Sequence, residues 1–285
     1  MALVTSKEML EEAKKNGYAV GAFNVENMEM VMAVLAAAEE TGSPVIMQTT
    51  PGTIKYAGLD YYLANVRAAA ERTKIPVVMH LDHGNSFELA CKAYRTGYTS
   101  IMIDGSKLPF EDNISLTESV VRVCHSGGVP VEGELGKVGG KEDDLVGDDS
   151  NPYTDPEEAK IFVEKTGVDF LAVGIGTSHG VYKGIPKVNV EVLASIRDVV
   201  SIPLVMHGTS GVPDDQVKDC ISKGICKVNY ATDLRIAYTE GVKAHLKEHP
   251  DDFDPKKYSA PAMEKVKAYV MQKMEVVGSC GRAAR

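Results

Sequence analysis

The sequence predicts an α/β fold, a (β/α)8 TIM barrel with an N-terminal capping helix and a C-terminal helical extension, formed as a single domain over residues 1–285. Three observations predict it. Eight short β-branched apolar runs end abruptly in polar or glycine residues, helical periods lie between them, and the runs are apolar throughout rather than alternating. A strand without a polar face is buried on both sides, and strict alternation of strand and helix makes the strands parallel. Eight such units match the barrel repeat. A doubly wound open sheet is the structural rival, but it usually places a Gly-x-Gly-x-x-Gly turn after its first strand, where this chain has AFNVEN at Ala22 to Asn27.

Taken in order, Thr5-x-x-Glu8 has the pattern of a capping box and opens a short helix expected to stop near Gly17, so no secretory leader is expected at this end. The eight strand candidates are Ala19 to Asn24, Pro44 to Thr49, Pro76 to His83, Ser100 to Gly105, Pro130 to Gly136, Phe170 to Gly176, Pro203 to Ser210 and Cys226 to Thr232. Between the first two, Met28, Val31, Met32 and Leu35 recur at helical spacing, and Ala159, Phe162 and Val163 repeat it before the sixth. Asp155, Pro156 and Glu158 supply an N-cap, a proline at the first helical position and an acidic third position. Residues 137–154, KVGGKEDDLVGDDSNPYT, are longer than an ordinary strand-to-helix loop and are expected to form an acidic lid or to be disordered. After the eighth run a helix is expected to about His249, a break at Pro250 to Pro255, and a helical tail over 256–285 whose Val266, Val270 and Met274 share one face. No linker composition divides the chain.

With 44% hydrophobic and 25% charged residues the chain reads as water-soluble and globular. Its net charge of −9, with no block of Lys and Arg to offset it, argues against nucleic acid as a partner. A small phosphorylated molecule stays open, because backbone N–H groups bind phosphate locally. The longest apolar run, Met30 to Ala38, is too short for the roughly 20 residues of a membrane span, so no membrane partner is expected. Five cysteines, odd in number and without a Cys-x-x-Cys pair, suggest neither disulfides nor a thiolate metal site and place the chain in the cytoplasm.

Barrel enzymes carry their chemistry at the C-terminal ends of the strands, and those ends are polar here. Of the seven histidines, His83, His179 and His207 each stand at such an end and each is followed by glycine. In a closed barrel these ends converge, so three imidazoles can reach one divalent ion and leave its fourth position open. The plain alternative is that each merely caps a loop. His80, two residues before Asp82 on one strand face, reads as a hydrogen-bonded core histidine or a support for its ligating neighbour, and His125, His245 and His249 read as solvated. Asp82 beside a ligating histidine suits general acid or base chemistry, with a salt-bridged structural aspartate as the alternative. Asp104 and Glu134 read either as partners of the histidines or as ligands of a second cation. Gly208 to Gly211, and Asn229 to Thr232 leading into a helix, form the glycine-rich ends of strands seven and eight, where barrels often bind phosphate.

YAVGAFN at Tyr18 to Asn24, HLDHG at His80 to Gly84, SIMIDGS at Ser100 to Ser106, EGELGKVGGKED at Glu132 to Asp143, GTSHG at Gly176 to Gly180, LVMHGTSG at Leu204 to Gly211 and the closing KM and GSCGRA resemble, in order and over essentially the whole length, the class II metal-dependent ketose-bisphosphate aldolases. The resemblance implies a zinc ion held by His83, His179 and His207, with Asp82 exchanging a proton at the substrate C4 oxygen. It matches Asp104 and Glu134 to additional metal ligands of some members, and Glu142 in the acidic loop to the carboxylate that exchanges the proton at C3. Gly180, Gly208, Thr209, Ser210, Asn229, Tyr230, Ala231 and Thr232 match the groups that hold dihydroxyacetone phosphate, where a monovalent cation, Na+ or K+, is often bound as well. The sixth run, FLAVGIG, lacks the lysine of a Schiff-base aldolase barrel.

The same resemblance bears on the substrate. Fructose-bisphosphate members often carry an acidic residue where this chain has Ala231; the alanine, TPGT at Thr50 to Thr53 with Tyr56-Ala57-Gly58, and GICKVN at Gly224 to Asn229 resemble the tagatose-bisphosphate subgroup. The expected reaction is therefore reversible cleavage of D-tagatose 1,6-bisphosphate to dihydroxyacetone phosphate and D-glyceraldehyde 3-phosphate, with D-fructose 1,6-bisphosphate as the alternative substrate. Arg235 is a candidate for the distal phosphate, or an ordinary surface arginine. A metal-dependent hydrolase would normally show His-x-His on the first strand, which is missing from AFNVEN, and a non-catalytic sugar-phosphate-binding barrel is the remaining reading. By resemblance the chain is expected as a homodimer or homotetramer, in some cases with a companion subunit.

Overall fold

The computed structural model of the chain describes residues 3–136, 138–142, 145–146, 153–182, 184 and 186–283, with the backbone alone at 141, 142, 145 and 146. The first half runs α1 (Ser6–Asn16), β1 (Val20–Asn24), α2 (Met28–Thr41), β2 (Val45–Thr49), α3 (Pro51–Ala57), α4 (Leu59–Glu71), β3 (Val77–Gly84), α5 (Phe87–Thr96), β4 (Ser100–Ile103) and α6 (Phe110–His125). It continues with β5 (Val131–Leu135), β6 (Gly139–Glu142), β7 (Leu145–Val146), α7 (Pro156–Thr166), β8 (Phe170–Val173), β9 (Ser178–His179), α8 (Val190–Val199), β10 (Leu204–Met206), α9 (Asp214–Ser222), β11 (Ile225–Tyr230), α10 (Thr232–Glu248) and α11 (Pro255–Val276).

Each of the eight apolar runs forms a strand, and the eight close into one barrel in the order β1, β2, β3, β4, β5, β8, β10, β11, with every neighbouring pair parallel. The lower interior is filled by Val20, Ala22, Ile46, Val78, Met102, Phe170, Ala172 and Val205, and Met9, Leu10 and Ala13 of α1 pack into the same cluster. The first helix is thus an apolar plug in the N-terminal end of the barrel. At the other terminus α11 lies against α2 and α10, with Val266, Val270 and Met274 fully buried, and the Ala19 amide donates to the Val277 carbonyl at 2.9 Å where the tail meets β1. No helix among the described residues is long and apolar enough to cross a membrane.

One local expectation is corrected. Thr5 takes the N-cap position of α1, but its side chain makes no capping hydrogen bond, so the capping box is not formed. In α2 the buried face is Met30, Val31, Ala33, Val34, Ala37 and Ala38, whereas Met28 and Met32 are about half exposed at 51% and 48%. A barrel helix wedged between the sheet and two neighbours presents its small residues inward, because alanines let the backbones approach closely; the long methionines are left outside. The acidic stretch after β5 holds ordered strand structure as well as loop: β6 pairs antiparallel with β7 and parallel with β9. Lys137, residues 143–144 and residues 147–152 of that stretch lie outside the described residues.

Candidate active site

The site is assembled at the C-terminal mouth of the barrel, beginning with a break in the pleat of β3. Strand alternation puts His80 and Asp82 on one face and Leu81 on the other, and by that rule His83 would follow Leu81 toward the helices. Instead His83 has φ 48°, the one positive φ at a non-glycine among the described residues, and the pairing with β4 shifts register between Leu81 and Gly84. A left-handed histidine costs about 1 to 3 kcal/mol and persists where its surroundings hold it there. Here they do. His83 is 2% exposed, its Nδ1 is 3.0 Å from Asp104 Oδ2, and Asp104 is itself fixed by the Ser106 amide and hydroxyl at 3.0 and 2.6 Å.

His207 follows β10 directly and is held in the same manner, its Nε2 lying 2.9 Å from Glu132 Oε1. A carboxylate only accepts hydrogen bonds, so each ring gives its N–H to its acid: Nε2–H of His207 to Glu132 and Nδ1–H of His83 to Asp104. The remaining nitrogens, His207 Nδ1 and His83 Nε2, face each other at 2.9 Å. In neutral rings both are lone pairs, so the arrangement requires a positive charge between them, a proton or a metal ion. Against the cost of complete burial, the charge of Asp82, the hydrogen bond to Asp104 and the nearness of Glu134 hold His83 well above its ordinary pKa. The Oε2 of Glu134 is buried without a hydrogen bond, 3.6 Å from His83 Nδ1 and 3.8 Å from His207 Nδ1. Burial and the neighbouring Asp104 push Glu134 well above the usual carboxylate range.

His179 completes the group from β9, whose two residues are gripped from both sides. On one side Gly140 of β6 pairs with His179, in a positive-φ conformation (81°) and so close that a Cβ there would fall on the His179 carbonyl oxygen. On the other, Gly208 has φ 63° and a Cβ would stand 2.7 Å from the Ser178 carbonyl carbon and oxygen. Glycine is required at both positions to let the backbones meet. The Tyr182 hydroxyl closes this segment, accepting from the Ser178 amide at 2.7 Å and donating to the Gly208 carbonyl at 2.8 Å. The three rings lie with centroids 4.9 Å (His83 to His179), 4.6 Å (His83 to His207) and 6.2 Å (His179 to His207) apart. One ligand atom from each lies within 4.8 Å of the other two, and His83, Asp104 and Glu134 form a second such group. Two ring nitrogens that face each other across a position needing positive charge, a third imidazole beside them and an unsatisfied buried carboxyl oxygen together fit a divalent cation, which would take the place of the proton on His83. Burial pushes His179 well below its ordinary pKa, and His207 also below its own, so both rings are in the ligating form.

Asp82, 1% exposed, accepts from Asn24 Nδ2 at 2.9 Å and from Asn229 Nδ2 at 3.1 Å, and Gln48 in turn donates to Asn24 at 2.8 Å. Burial alone would raise its pKa; the charges of His83, His207 and Lys227 outweigh it and bring the group to about 2. One layer deeper, His80 is bonded to the Ser100 hydroxyl at 2.7 Å and buried, which together with the nearby Lys227 lowers it to about 3. This agrees with a core histidine supporting the site.

The expected phosphate-binding residues gather in one small cavity lined by His179, Gly180, Gly208, Thr209, Ser210, Asn229, Ala231 and Thr232. Tyr230, expected among them, does not line it, and Arg235, the candidate for the distal phosphate, lies apart from it. Tyr230 faces the helical layer, stacked on Phe23 at 5.6 Å and against Tyr269 at 6.1 Å, because residues adjacent in a strand face opposite ways and Asn229 takes the inward position. Arg235 instead pairs with Glu26 at the end of β1, Nη2 to Oε1 at 2.6 Å, and Glu26 also accepts from Thr53 at 2.8 Å. The side chain of Glu142 lies outside what is described; its backbone ends β6, two residues beyond the one paired with His179. His125 and His245, expected to be solvated, are paired with Asp169 at 2.7 Å and Asp252 at 2.9 Å. Reading the sequence missed Glu132, Lys227, Asn24 and Gln48. The available signal was a charged or amide residue at even spacing from a named one, Glu132 two before Glu134 and Lys227 two before Asn229.

The family model for class II fructose-bisphosphate aldolase matches residues 4–282. The chain belongs to the class II fructose-bisphosphate aldolase family. It is accordingly a lyase of a metal-dependent class. Among solved structures, the YdjI aldolase of Escherichia coli K12 is 37% identical, with 99% of this chain and 100% of that chain covered and a TM-score of 0.88. A putative fructose-1,6-bisphosphate aldolase from Coccidioides immitis is 28% identical over 97% of this chain and 96% of that one, TM-score 0.87. Fructose-bisphosphate aldolase from Campylobacter jejuni is 26% identical over 98% and 97%, TM-score 0.84.

Proposed function

We propose that this class II aldolase is a zinc enzyme that reversibly cleaves D-tagatose 1,6-bisphosphate to dihydroxyacetone phosphate and D-glyceraldehyde 3-phosphate. The observation that carries the reading is the convergence of His83, His179 and His207 beside a buried, ionised Asp82. The three imidazoles are the ligands, and a zinc ion so held supplies Lewis acidity toward the ketose C2 carbonyl. The remaining work falls to the protein. The cavity from Gly180 through Gly208, Thr209, Ser210, Asn229, Ala231 and Thr232 binds the phosphate of the triose half, and glycine amides and the N-terminus of α10 suit an anion there. A monovalent cation, Na+ or K+, accompanies that phosphate.

In cleavage Asp82 accepts the proton of the C4 hydroxyl as the C3–C4 bond breaks, and in condensation it returns that proton to the aldehyde oxygen. Its low pKa keeps it in the accepting form, and Asn24 and Asn229 aim both of its oxygens. Glu142 exchanges the proton at C3 of the released triose. Asp104 orients His83, and Asp104 and Glu134 would with it form a second divalent-ion site. Arg235, tethered by Glu26 at the mouth, receives the distal phosphate.

Ala231, which replaces the acidic residue frequent in fructose-type members, supports tagatose bisphosphate, and the names carried by the Coccidioides and Campylobacter structures favour fructose 1,6-bisphosphate as the second reading. Five free cysteines suit a reducing cytoplasm, and a homodimer or homotetramer, with or without a companion subunit, is the assembly we expect. The test is a coupled cleavage assay on both bisphosphates side by side. A higher kcat/KM for tagatose bisphosphate is expected. Preference for the fructose isomer would transfer the assignment to it, and tight sugar-phosphate binding without cleavage of either would leave a binding barrel.

A further inference from the structure

Beneath the site runs a buried chain of charged groups that the reaction leaves without a task. Lys227 Nζ lies 2.9 Å from Glu132 Oε2 and 3.5 Å from His80 Nε2, while the other Glu132 oxygen lies 2.9 Å from His207 Nε2. Lys227, Glu132 and His207 are 1%, 0% and 0% exposed. A buried lysine–glutamate pair is seldom worth more to stability than two well-packed apolar side chains of the same volume, so stability alone is a weak reason for it.

A lysine inside an aldolase barrel invites the idea of an amine that traps the substrate carbonyl. Its position speaks against this: Lys227 precedes Asn229 by two residues on β11 and lies one layer below the Asn229 to Asp82 contact, its amine turned toward Glu132 and His80. The chain continues downward from His80 to Ser100 at 2.7 Å and from Ser100 to Ser6 of α1 at 2.7 Å, which anchors it in the plug of the barrel.

Upward, it ends on a ring with two possible ligand atoms. Only Nδ1 of His207 faces His83, and Nδ1 offers a lone pair only if the proton resides on Nε2. Two groups stand beside Nε2, the acceptor-only Glu132 carboxylate at 2.9 Å and the Asn229 amide nitrogen, a donor, at 3.3 Å; the nearer, charged acceptor decides that choice and fixes the ring plane. We propose that Glu132 is the positioning residue that presents His207 Nδ1 to the divalent ion, and that Lys227 is the strut holding Glu132 by its second oxygen. This rests on the metal reading above.

The test uses the full chain, stripped of metal, and measures zinc affinity by competition with a chromogenic chelator, the visible spectrum of the cobalt(II) form, and far-ultraviolet circular dichroism. Glu132→Gln keeps the volume but lets an amide N–H face Nε2; zinc binding is expected to weaken by about 10- to 100-fold with the fold unchanged and the cobalt bands shifted. Lys227→Met should weaken zinc in the same direction by less. Because that variant leaves Glu132 buried without its cation and risks misfolding, the charge-neutral Glu132→Gln, Lys227→Met double variant is measured as well, and should bind zinc no more weakly than Glu132→Gln alone. Zinc affinity of Glu132→Gln within about twofold of the parent, with the same cobalt spectrum, would overturn the role of Glu132, since an orienting carboxylate normally contributes more. Borohydride trapping of substrate on Lys227 would overturn the strut. A parent chain that binds no stoichiometric zinc, or binds it equally well after His179→Ala, would instead sink the metal reading itself.

Discussion

The lower interior of the barrel and its mouth are made by the same eight strands, yet they are built on opposite terms. Below, Val20, Ile46, Val78, Met102, Phe170 and Val205 meet the α1 plug in an entirely apolar cluster, held by close packing and indifferent to direction. Above, Asp82, His83, Glu132, His207 and Lys227 are equally buried but charged or polar, and each is placed by a named partner. Apolar burial tolerates small shifts at a modest cost, whereas a buried polar group loses its partner outright if displaced. Stability and function are thus stacked along one axis and can be broken separately.

The largest separation is expected at Asp82. Asp82→Ala removes proton transfer and leaves the three imidazoles, so cleavage should fall by about 10² to 10⁴, roughly 3 to 5 kcal/mol in barrier, while zinc content stays near one per chain. Steady-state kinetics with metal analysis checks it, and loss of zinc would make the aspartate a structural element. The reciprocal change is Leu10→Ala in the plug, fully buried beneath the barrel. It should cost about 2 to 5 kcal/mol in urea unfolding with kcat nearly unchanged; a kcat that fell with stability would mean the two layers are coupled.

A smaller effect sharpens the boundary itself, where His80 sits. Burial and Lys227 lower its folded pKa from 6.5 to about 3. Between those values the unfolded chain binds a proton that the folded chain refuses, so this histidine's contribution is fully present above pH 6.5 and is lost as pH falls toward 3, at about 1.4 kcal/mol per unit. Metal-free protein unfolded in urea across that range should show a steeper pH dependence than His80→Gln by this slope; parallel curves would contradict the assignment.

The two layers were also unequally legible in the sequence. The strands were readable because a parallel barrel buries both strand faces and leaves long apolar runs, and His83, His179 and His207 because they terminate such runs. The helical spacing of Met28, Val31, Met32 and Leu35 showed α2 but not its buried face, since Met28 and Met32 are half exposed on a helix that packs largely through its alanines. Glu132 and Lys227 were hidden because a charged residue inside an apolar run has meaning only once its cross-barrel partner is known, and that pairing spans 95 residues of chain closed by the barrel. Tyr230 turns to the opposite face from Asn229 because adjacent strand residues alternate, which Asn229 to Thr232 read as one string does not show. The clamp of Gly140 and Gly208 on His179 arises from backbone proximity between distant loops, which no local pattern encodes.

The proposed reaction depends on three rings from β3, β9 and the end of β10 serving one ion. Anomalous diffraction at the zinc edge, from crystals of the unmutated chain grown with stoichiometric zinc, tests it most directly. The predicted result is a single strong peak about 2.0 to 2.1 Å from one nitrogen each of His83, His179 and His207. A peak elsewhere, or three histidines in the arrangement described with no zinc among them at saturation, would contradict it.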